Sequence, residues 1–513
     1  MCGILCILGP QPPQPLTLDA LEARGPDAHH VIYGENFALG FTRLKIVDLK
    51  TGMQPFEKSN LTYACNGEIY NHASLERKHH LTLESRSDCE CLGPLYRLLG
   101  PTKLYNALDG VFAFIIIDGD TVILGRDRIG VRPLFIGYTS QGYLAIASLA
   151  AALNFCTDVQ QFMPGLAVIH ENKYMTRLGH VPRLQLMSDP IYEIQPTLIA
   201  AVQKRLMSDR PMACLLSGGL DSSLVAAILC KLSPTTTKTY SIGMEGSTDL
   251  KAARKVAQYL GTEHTEVTFT PQEGLDIIPE VIRVLESYDV TTVRASIGMH
   301  LLARYIKRET KDTVIFSGEG SDELFCGYLY FHNAPTPSLA ALDSRRLQNE
   351  LYMYDVLRAD RCISSCGLEL RVPFLDKDMI NLVHNLTEHQ ITPTRGYEKF
   401  ILRQAFEGFL PPEILWRRKE GMSDGTGSLE RPLSRIIQEF VPQLDDLSPV
   451  QCEEHYYREI FNKIYPFYHL CLPRWMPRWT NTDDPSGREV AAFSEPTPQD
   501  HTASHSEKCA NNE

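Results

Sequence analysis

Ala213-Cys214-Leu215-Leu216-Ser217-Gly218-Gly219-Leu220-Asp221-Ser222-Ser223 leaves an apolar strand, crosses a loop of small residues and enters the helical run Leu224-Val225-Ala226-Ala227-Ile228-Leu229. With no bulky side chain in the loop, backbone N–H groups at the helix start can wrap a pyrophosphate, and Asp221 can hold Mg²⁺ against it. The Gly-Lys-Ser/Thr ending of a Walker A loop is absent. A second junction, Val314-Ile315-Phe316-Ser317-Gly318-Glu319-Gly320-Ser321-Asp322-Glu323-Leu324, sets small residues and three acids at another strand end. Ligands of open α/β sheets collect at such ends.

Around these junctions, from about Ile191, helical periods alternate with the short buried strands Ala213–Leu216, Lys238–Ile242, Thr265–Thr268 and Thr313–Phe316. That rhythm predicts a parallel sheet covered on both faces. The first 170 or so residues read differently, as β-branched and aromatic strands joined by turns. Val111–Ile117 meets Thr121–Leu124 across Asp118-Gly119-Asp120, and Phe135–Tyr138 meets Tyr143–Ala147. Both are hairpin signals, so this half is predicted to be antiparallel. Glu171 to Pro190 shows no sustained period and is assigned as linker, and the polar tail from Asp483 is expected to be disordered. The resulting division is 2–170, linker 171–190, 191–482 and tail 483–513.

Composition narrows the function. A chain of 513 residues, 43% hydrophobic and 22% charged, is globular and too long for one ordinary core. A formal charge of -12 argues against nucleic acid or an anionic membrane as the main partner. The 14 cysteines lack a zinc-ligand spacing and are read as reduced. With no signal-peptide pattern, and Val111–Ile117 as the longest apolar run, a cytosolic location is expected.

The N-terminal half carries its own chemistry. Removal of Met1 would give Cys2 a free α-amine, a base with an ordinary pKa of about 7.7 to 8.0 beside its own thiol. Asn66-Gly67-Glu68-Ile69-Tyr70-Asn71 offers an amide, a glycine N–H and a carboxylate within three positions, suited to a tetrahedral oxyanion and a substrate ammonium. Arg43 can fork onto an α-carboxylate, and Asp88 adds a second acid. A thiol, an arginine and two acids are the inventory that hydrolysis of glutamine, a zwitterion with a side-chain amide, requires.

Met1-Cys2-Gly3-Ile4, Arg24-Gly25-Pro26-Asp27, Asn66 to Asn71 and Gly125-Arg126-Asp127-Arg128-Ile129-Gly130-Val131-Arg132-Pro133-Leu134 resemble the class II, N-terminal-nucleophile glutamine amidotransferases. Ser217 to Ser222, Ser317 to Glu323 and Gly367-Leu368-Glu369-Leu370-Arg371-Val372-Pro373-Phe374-Leu375-Asp376 resemble the synthetase domain of the glutamine-hydrolysing asparagine synthetases. The resemblance implies an α+β, four-layer αββα Ntn-hydrolase sandwich followed by a parallel-sheet α/β PP-loop domain. It implies Cys2 as nucleophile, Asn66 and Gly67 as oxyanion hole, and Arg43, Leu44, Lys45, Ile46, Val47, Asn66, Gly67, Glu68 and Asp88 as glutamine contacts. In the second half it implies Leu215, Ser217, Gly218, Gly219, Asp221, Ser222, Ile242, Ser317 and Gly318 around ATP, and Asp221 and Asp322 on Mg²⁺. Glu319 would form and resolve a β-aspartyl adenylate, with Lys419 on the phosphates and Thr291 to Ser296 near aspartate. Glutamine, aspartate and ATP are the expected small-molecule partners, and a homodimer is a family expectation.

The chain departs from the pattern at several positions. Ala23 stands where a His usually precedes Arg24, and Ser148-Leu149-Ala150-Ala151 replaces Ser-Glu-x-Lys. Gly421-Met422 replaces Ala-Phe before Ser423. Two rival readings are a β-lactam synthetase-like ligase and a non-catalytic paralogue. The intact set Cys2, Arg43, Asn66, Glu68 and Asp88 weighs against the first, and retention of Asp221, Glu319, Asp322 and Lys419 against the second.

Overall fold

The computed structural model describes residues 1–10, 12–170, 174–178, 190–418, 427, 432–468 and 474–485. Among the described residues, twelve strands build two antiparallel sheets in the first half: β1 Gly3–Leu8, β2 Ala28–Tyr33, β3 Phe37–Arg43, β4 Phe56–Lys58, β5 Leu61–Ile69, β6 Gly110–Asp118, β7 Thr121–Arg126, β8 Phe135–Thr139, β9 Leu144–Ala147, β10 Cys156–Gln161, β11 Gly165–His170 and β12 Tyr174–Leu178. The first sheet runs β10-β8-β9-β1-β3-β2 and the second β12-β11-β7-β6-β5-β4. Both expected hairpins form, β6 with β7 and β8 with β9.

The period of 2 in a strand decides what each face meets. On β1, Ile4, Cys6 and Leu8 join Leu39, Phe41, Ile115, Leu124 and Ile169 in the core between the sheets, whereas Leu5 and Ile7 face the other way. Tyr63, Cys65, Phe112 and Phe114 on the far face of the second sheet pack against Leu92, Leu95 and Leu104 of the helix Leu92–Ala107. The outer face of the first sheet is covered by short 3₁₀ segments, among them Ala150–Leu153, and shares its core with the second half.

The assigned linker needs correction. Tyr174–Leu178 pairs with β11 in full register, Leu166 opposite Leu178 and His170 opposite Tyr174, so the second sheet extends into it. A five-residue edge strand is too short for its alternation to register as a sustained period. Residues 179–189 of that assignment lie outside the described residues. The first residues assigned to the tail, 483–485, belong to the fold, where Asp484 accepts from Arg294 Nη1 at 2.9 Å. Residues 486–513 lie outside the described residues.

In the second half, β13 Met212–Leu215, β14 Lys238–Gly243, β15 Glu263–Thr268, β16 Val314–Phe316 and β17 Glu369–Arg371 form one parallel sheet, ordered β15-β14-β13-β16-β17. Four of these strands were legible as short apolar runs. β17 was not, since Glu-Leu-Arg is a three-residue strand with a charged residue at each end. The order reverses between β13 and β16, which places a crevice at their carboxyl ends. No helix among the described residues is long and apolar enough to cross a membrane.

Candidate active sites

Cys2 enters the fold on β1, next to β3, with Gly3 opposite Thr42. The approach is close, for a Cβ on Gly3 would lie 2.7 Å from Thr42 Oγ1 and 2.8 Å from Leu21 Cβ. The Cys2 amide donates to Asn66 Oδ1 at 3.1 Å, and its Sγ lies 3.8 Å from Leu44 O. Met1 is buried, its ammonium donating to Leu368 O at 3.2 Å, and burial pushes that amine down to about 5. Packing around the Cys2 thiol pushes it up from its ordinary value, against the pull of the neighbouring amine.

Asn66, Gly67 and Glu68 lie on β5, one strand in from the β4 edge of the second sheet. Fully buried Asn66 keeps its Nδ2 without an acceptor among the described residues, a donor waiting beside the thiol segment. Gly67 has to be glycine, because a Cβ there would sit 2.2 Å from Val111 O. Burial raises Glu68 well above the ordinary carboxylate range, aided by the charges of Glu369 and Asp88 and opposed by Arg371, whose Nη2 stands 3.7 Å away. Burial also raises Asp88, although its Oδ2 accepts from Ile69 N at 2.7 Å. Two acids held up by desolvation gain from an incoming ammonium, which restores their charged forms. Arg43 donates to the carbonyls of Val47 (3.2 Å), Asp48 (2.7 Å) and Thr51, so its guanidinium pins the 44–51 loop. Within that loop Leu44 meets the thiol, Lys45 N donates to Asp27 Oδ2 at 2.8 Å, and Ile46 and Val47 pack in the core.

The second site occupies the crevice. Gly219 precedes the helix Leu220–Leu232, and Gly218 has φ +74° with a virtual Cβ only 2.5 Å from the Ala252 and Ala253 backbone. Ser217 Oγ and Ser222 Oγ stand 3.1 Å apart, tying the loop's ends. Across the crevice β16 leads into Ser317 and Gly318, where a Cβ on Gly318 would lie 2.8 Å from Ser222 N. A cavity of about 230 Å³ is lined by Leu215, Ser217, Gly219, Asp221, Ser222, Ser317, Gly318, Glu319 and Asp322, so the two sequence junctions come together. Gly218 and Ile242 are not among its lining residues.

Glu319 is raised by burial, opposed by Arg358, whose Nη2 donates to its Oε2 at 3.0 Å. Asp355 shares the same Arg358 nitrogen at 2.9 Å. Between the two candidate Mg²⁺ ligands stands Lys399, its Nζ 2.6 Å from Asp221 Oδ2 and 2.7 Å from Asp322 Oδ1. Lys399, Arg358 and Asp355 were missed in the sequence: Arg358 and Asp355 lie in the mixed-charge helix Asp355–Ser364 and Lys399 in the turn before the helix Phe400–Ala405, all far from either junction. Lys419 lies outside the described residues, as do Gly421, Met422 and Ser423. Thr291 and Thr292 line the cavity, whereas Arg294 is turned away into a buried pair with Glu453. Arg371 belongs to the interface of the halves, paired with Glu369 and facing Glu68.

The two sites meet through one helix, Asp355–Ser364. Its Arg358 holds Glu319, and its Asp360 accepts from Arg24 at 2.8 Å, while Arg24 Nε donates to Cys2 O at 2.9 Å.

An antiparallel double sheet presenting a thiol beside an unfilled amide donor, joined to a parallel sheet with a small-residue crevice, matches the class of two-part glutamine amidotransferase ligases. The family model for a glutamine amidotransferase domain matches residues 1–212, and that for asparagine synthase matches residues 193–351 and 339–477. The chain belongs to the asparagine synthase family. It is 42% identical to proteins called "Asparagine synthetase [glutamine-hydrolyzing]" from Bos taurus, Gallus gallus and Homo sapiens, over 96% of this chain and 99% of each relative.

Proposed function

We propose that this chain makes asparagine from aspartate, ATP and glutamine-derived ammonia, releasing AMP, pyrophosphate and glutamate. The observation that carries the reading is the pairing of an unfilled amide donor beside Cys2 with a small-residue crevice that gathers Asp221, Glu319 and Asp322. In the first half, loss of Met1 leaves the Cys2 amine as local base. The thiolate then attacks the glutamine amide carbon, Asn66 Nδ2 and the Gly67 N–H stabilise the oxyanion, ammonia leaves with a proton from the Cys2 ammonium, and water hydrolyses the resulting thioester to glutamate and the thiol. Arg43, Glu68 and Asp88 hold the zwitterionic end.

In the second half, the 217–222 loop wraps the phosphates at a helix N-terminus. Asp221 and Asp322 suit Mg²⁺, which takes one or two carboxylates and completes its shell with water and phosphate oxygens; bound there, it would neutralise phosphate charge. Lys399 then gives up at least one carboxylate and is placed to meet phosphate. The aspartate β-carboxylate displaces pyrophosphate from the α-phosphorus, and ammonia displaces AMP from the resulting acyl adenylate. Glu319, its carboxyl raised by burial, takes the proton that the attacking ammonia sheds. The free thiols of the described residues accord with a cytosolic setting.

The test is an assay of asparagine and pyrophosphate with aspartate, ATP, Mg²⁺ and either glutamine or ammonium. Cys2→Ala is expected to abolish the glutamine-dependent reaction and to retain the ammonium-dependent one. A folded Cys2→Ala protein lacking both activities overturns the division of labour.

A further inference from the structure

A second cavity, of about 310 Å³, lies where the two halves meet and shares no lining residue with the phosphate crevice. Its walls come from both halves: Ala23, Arg24, Leu149 and Ala151 from the first, Glu286 and Arg361 from the second. The positions where the resemblance leads one to expect His, Glu and Lys are Ala23, Leu149 and Ala151, and truncated side chains leave volume.

The charges around it do not close. Arg24 and Arg361 are 1% and 2% exposed, yet Arg24 Nη2 and Arg361 Nε each lack a hydrogen-bond acceptor among the described residues. Their other nitrogens are committed. Arg24 holds Cys2 O, Asp360 and Ser364, while Arg361 donates to Glu286 Oε2 at 3.1 Å and stands 3.6 Å from Asp360. Glu286 is itself occupied, its Oε1 accepting from Ala151 N at 2.7 Å. Asp360, behind the wall, is shared among Arg24, Arg132 and Arg361. Arg283, 4.0 Å from Glu280, adds a more exposed guanidinium, so the lining itself holds three cationic side chains and one carboxylate. A buried donor without an acceptor is costly, and a forked guanidinium is satisfied best by a planar or tetrahedral oxyanion.

We infer that this cavity is a binding site for a small oxyanion, the carboxylate of an organic acid or a phosphate, held between Arg24 and Arg361. Leu149, Tyr465 and Phe467 in the lining suit a short carbon body attached to that group. The site stands apart from the glutamine and ATP chemistry, although Arg24 also grips the backbone of Cys2.

The full chain is titrated calorimetrically with inorganic phosphate, acetate and succinate in turn, beside two variants that keep every guanidinium. Ala151→Phe fills the cavity, and Ala23→Glu, at an exposed position, tethers a carboxylate at its edge. Anion uptake at Arg43 or the phosphate crevice is common to all three proteins and cancels in the comparison. At least one probe is expected to bind the original chain at least about tenfold more tightly than a variant that melts normally, and its identity separates carboxylate from phosphate. Superimposable isotherms for all three proteins with every probe overturn the inference and leave the cavity to water.

Discussion

The thiol site and the phosphate crevice are built on different plans. Around Cys2 the parts are backbone groups and residues of the two facing sheets: Gly3 against Thr42 within the first, the Cys2 amide on Asn66 of the second, the 44–51 loop pinned by Arg43. Its spare capacity is an unfilled donor, Asn66 Nδ2, and two acids held up by burial. At the crevice the loop geometry is local, but the charge balance arrives from far away. Lys399 is 178 positions from Asp221, and Arg358 is 39 from Glu319. The first site is therefore ready for a zwitterion, while the second is neutralised by the protein's own cations and must exchange them for its substrates.

The most severe way to break that contrast is Lys399→Met. Asp221 and Asp322 would face each other without their shared cation, and a positioned donor to phosphate charge would be lost. Aspartate-dependent pyrophosphate release is expected to fall at least about 100-fold, while glutamine hydrolysis without ATP stays within about twofold, as distant sites usually do. Equal losses in both assays would show that Lys399 supports the fold as a whole.

Arg24→Met attacks the joint between the plans. Arg24 is 1% exposed and ties Cys2 O to Asp360 and Ser364. Removing one partner of a buried pair typically costs about 3 to 5 kcal/mol, here at the low end because Arg132 still reaches Asp360 at 3.3 Å. Urea unfolding followed by tryptophan fluorescence measures the loss. An unchanged midpoint would mean that Arg24 adds nothing to the joint between the halves.

What the sequence disclosed follows the same divide. Strand–loop–helix junctions, hairpins and the Asn66-Gly67-Glu68 run were legible because each is a local pattern whose geometry is set within a few residues. Both junctions were assigned to one nucleotide site, and the parallel sheet does bring them into a single cavity. The edge strand Tyr174–Leu178 and the short β17 escaped because their partners, not their composition, make them strands. Lys399, Arg358 and Asp360 escaped for a related reason. A charged residue in a helix or a turn is ordinarily solvated, and only tertiary packing turns these three inward, at 2%, 4% and 1% exposure.

The smallest expected effect sharpens how each plan balances an acid. Burial raises Glu319, but Arg358 at 3.0 Å offsets it with a cation. Burial raises Glu68 further, with Glu369 and Asp88 adding to the effect, and Arg371 is too distant to restore the charge fully. Glu68 therefore keeps a proton in the folded state that the unfolded chain gives up near its ordinary value of 4.5. A raised folded pKa contributes stability that is complete below that value and declines as pH rises towards the folded one. Glu68→Gln has no proton to lose, so its stability relative to the original chain should grow as pH rises from about 5 to about 8, even as glutamine binding suffers. Urea midpoints at the two pH values decide it. A gap that does not widen would mean that Arg371 and the surrounding dipoles already hold Glu68 ionised, and that the thiol site balances its acid with a cation as the crevice does.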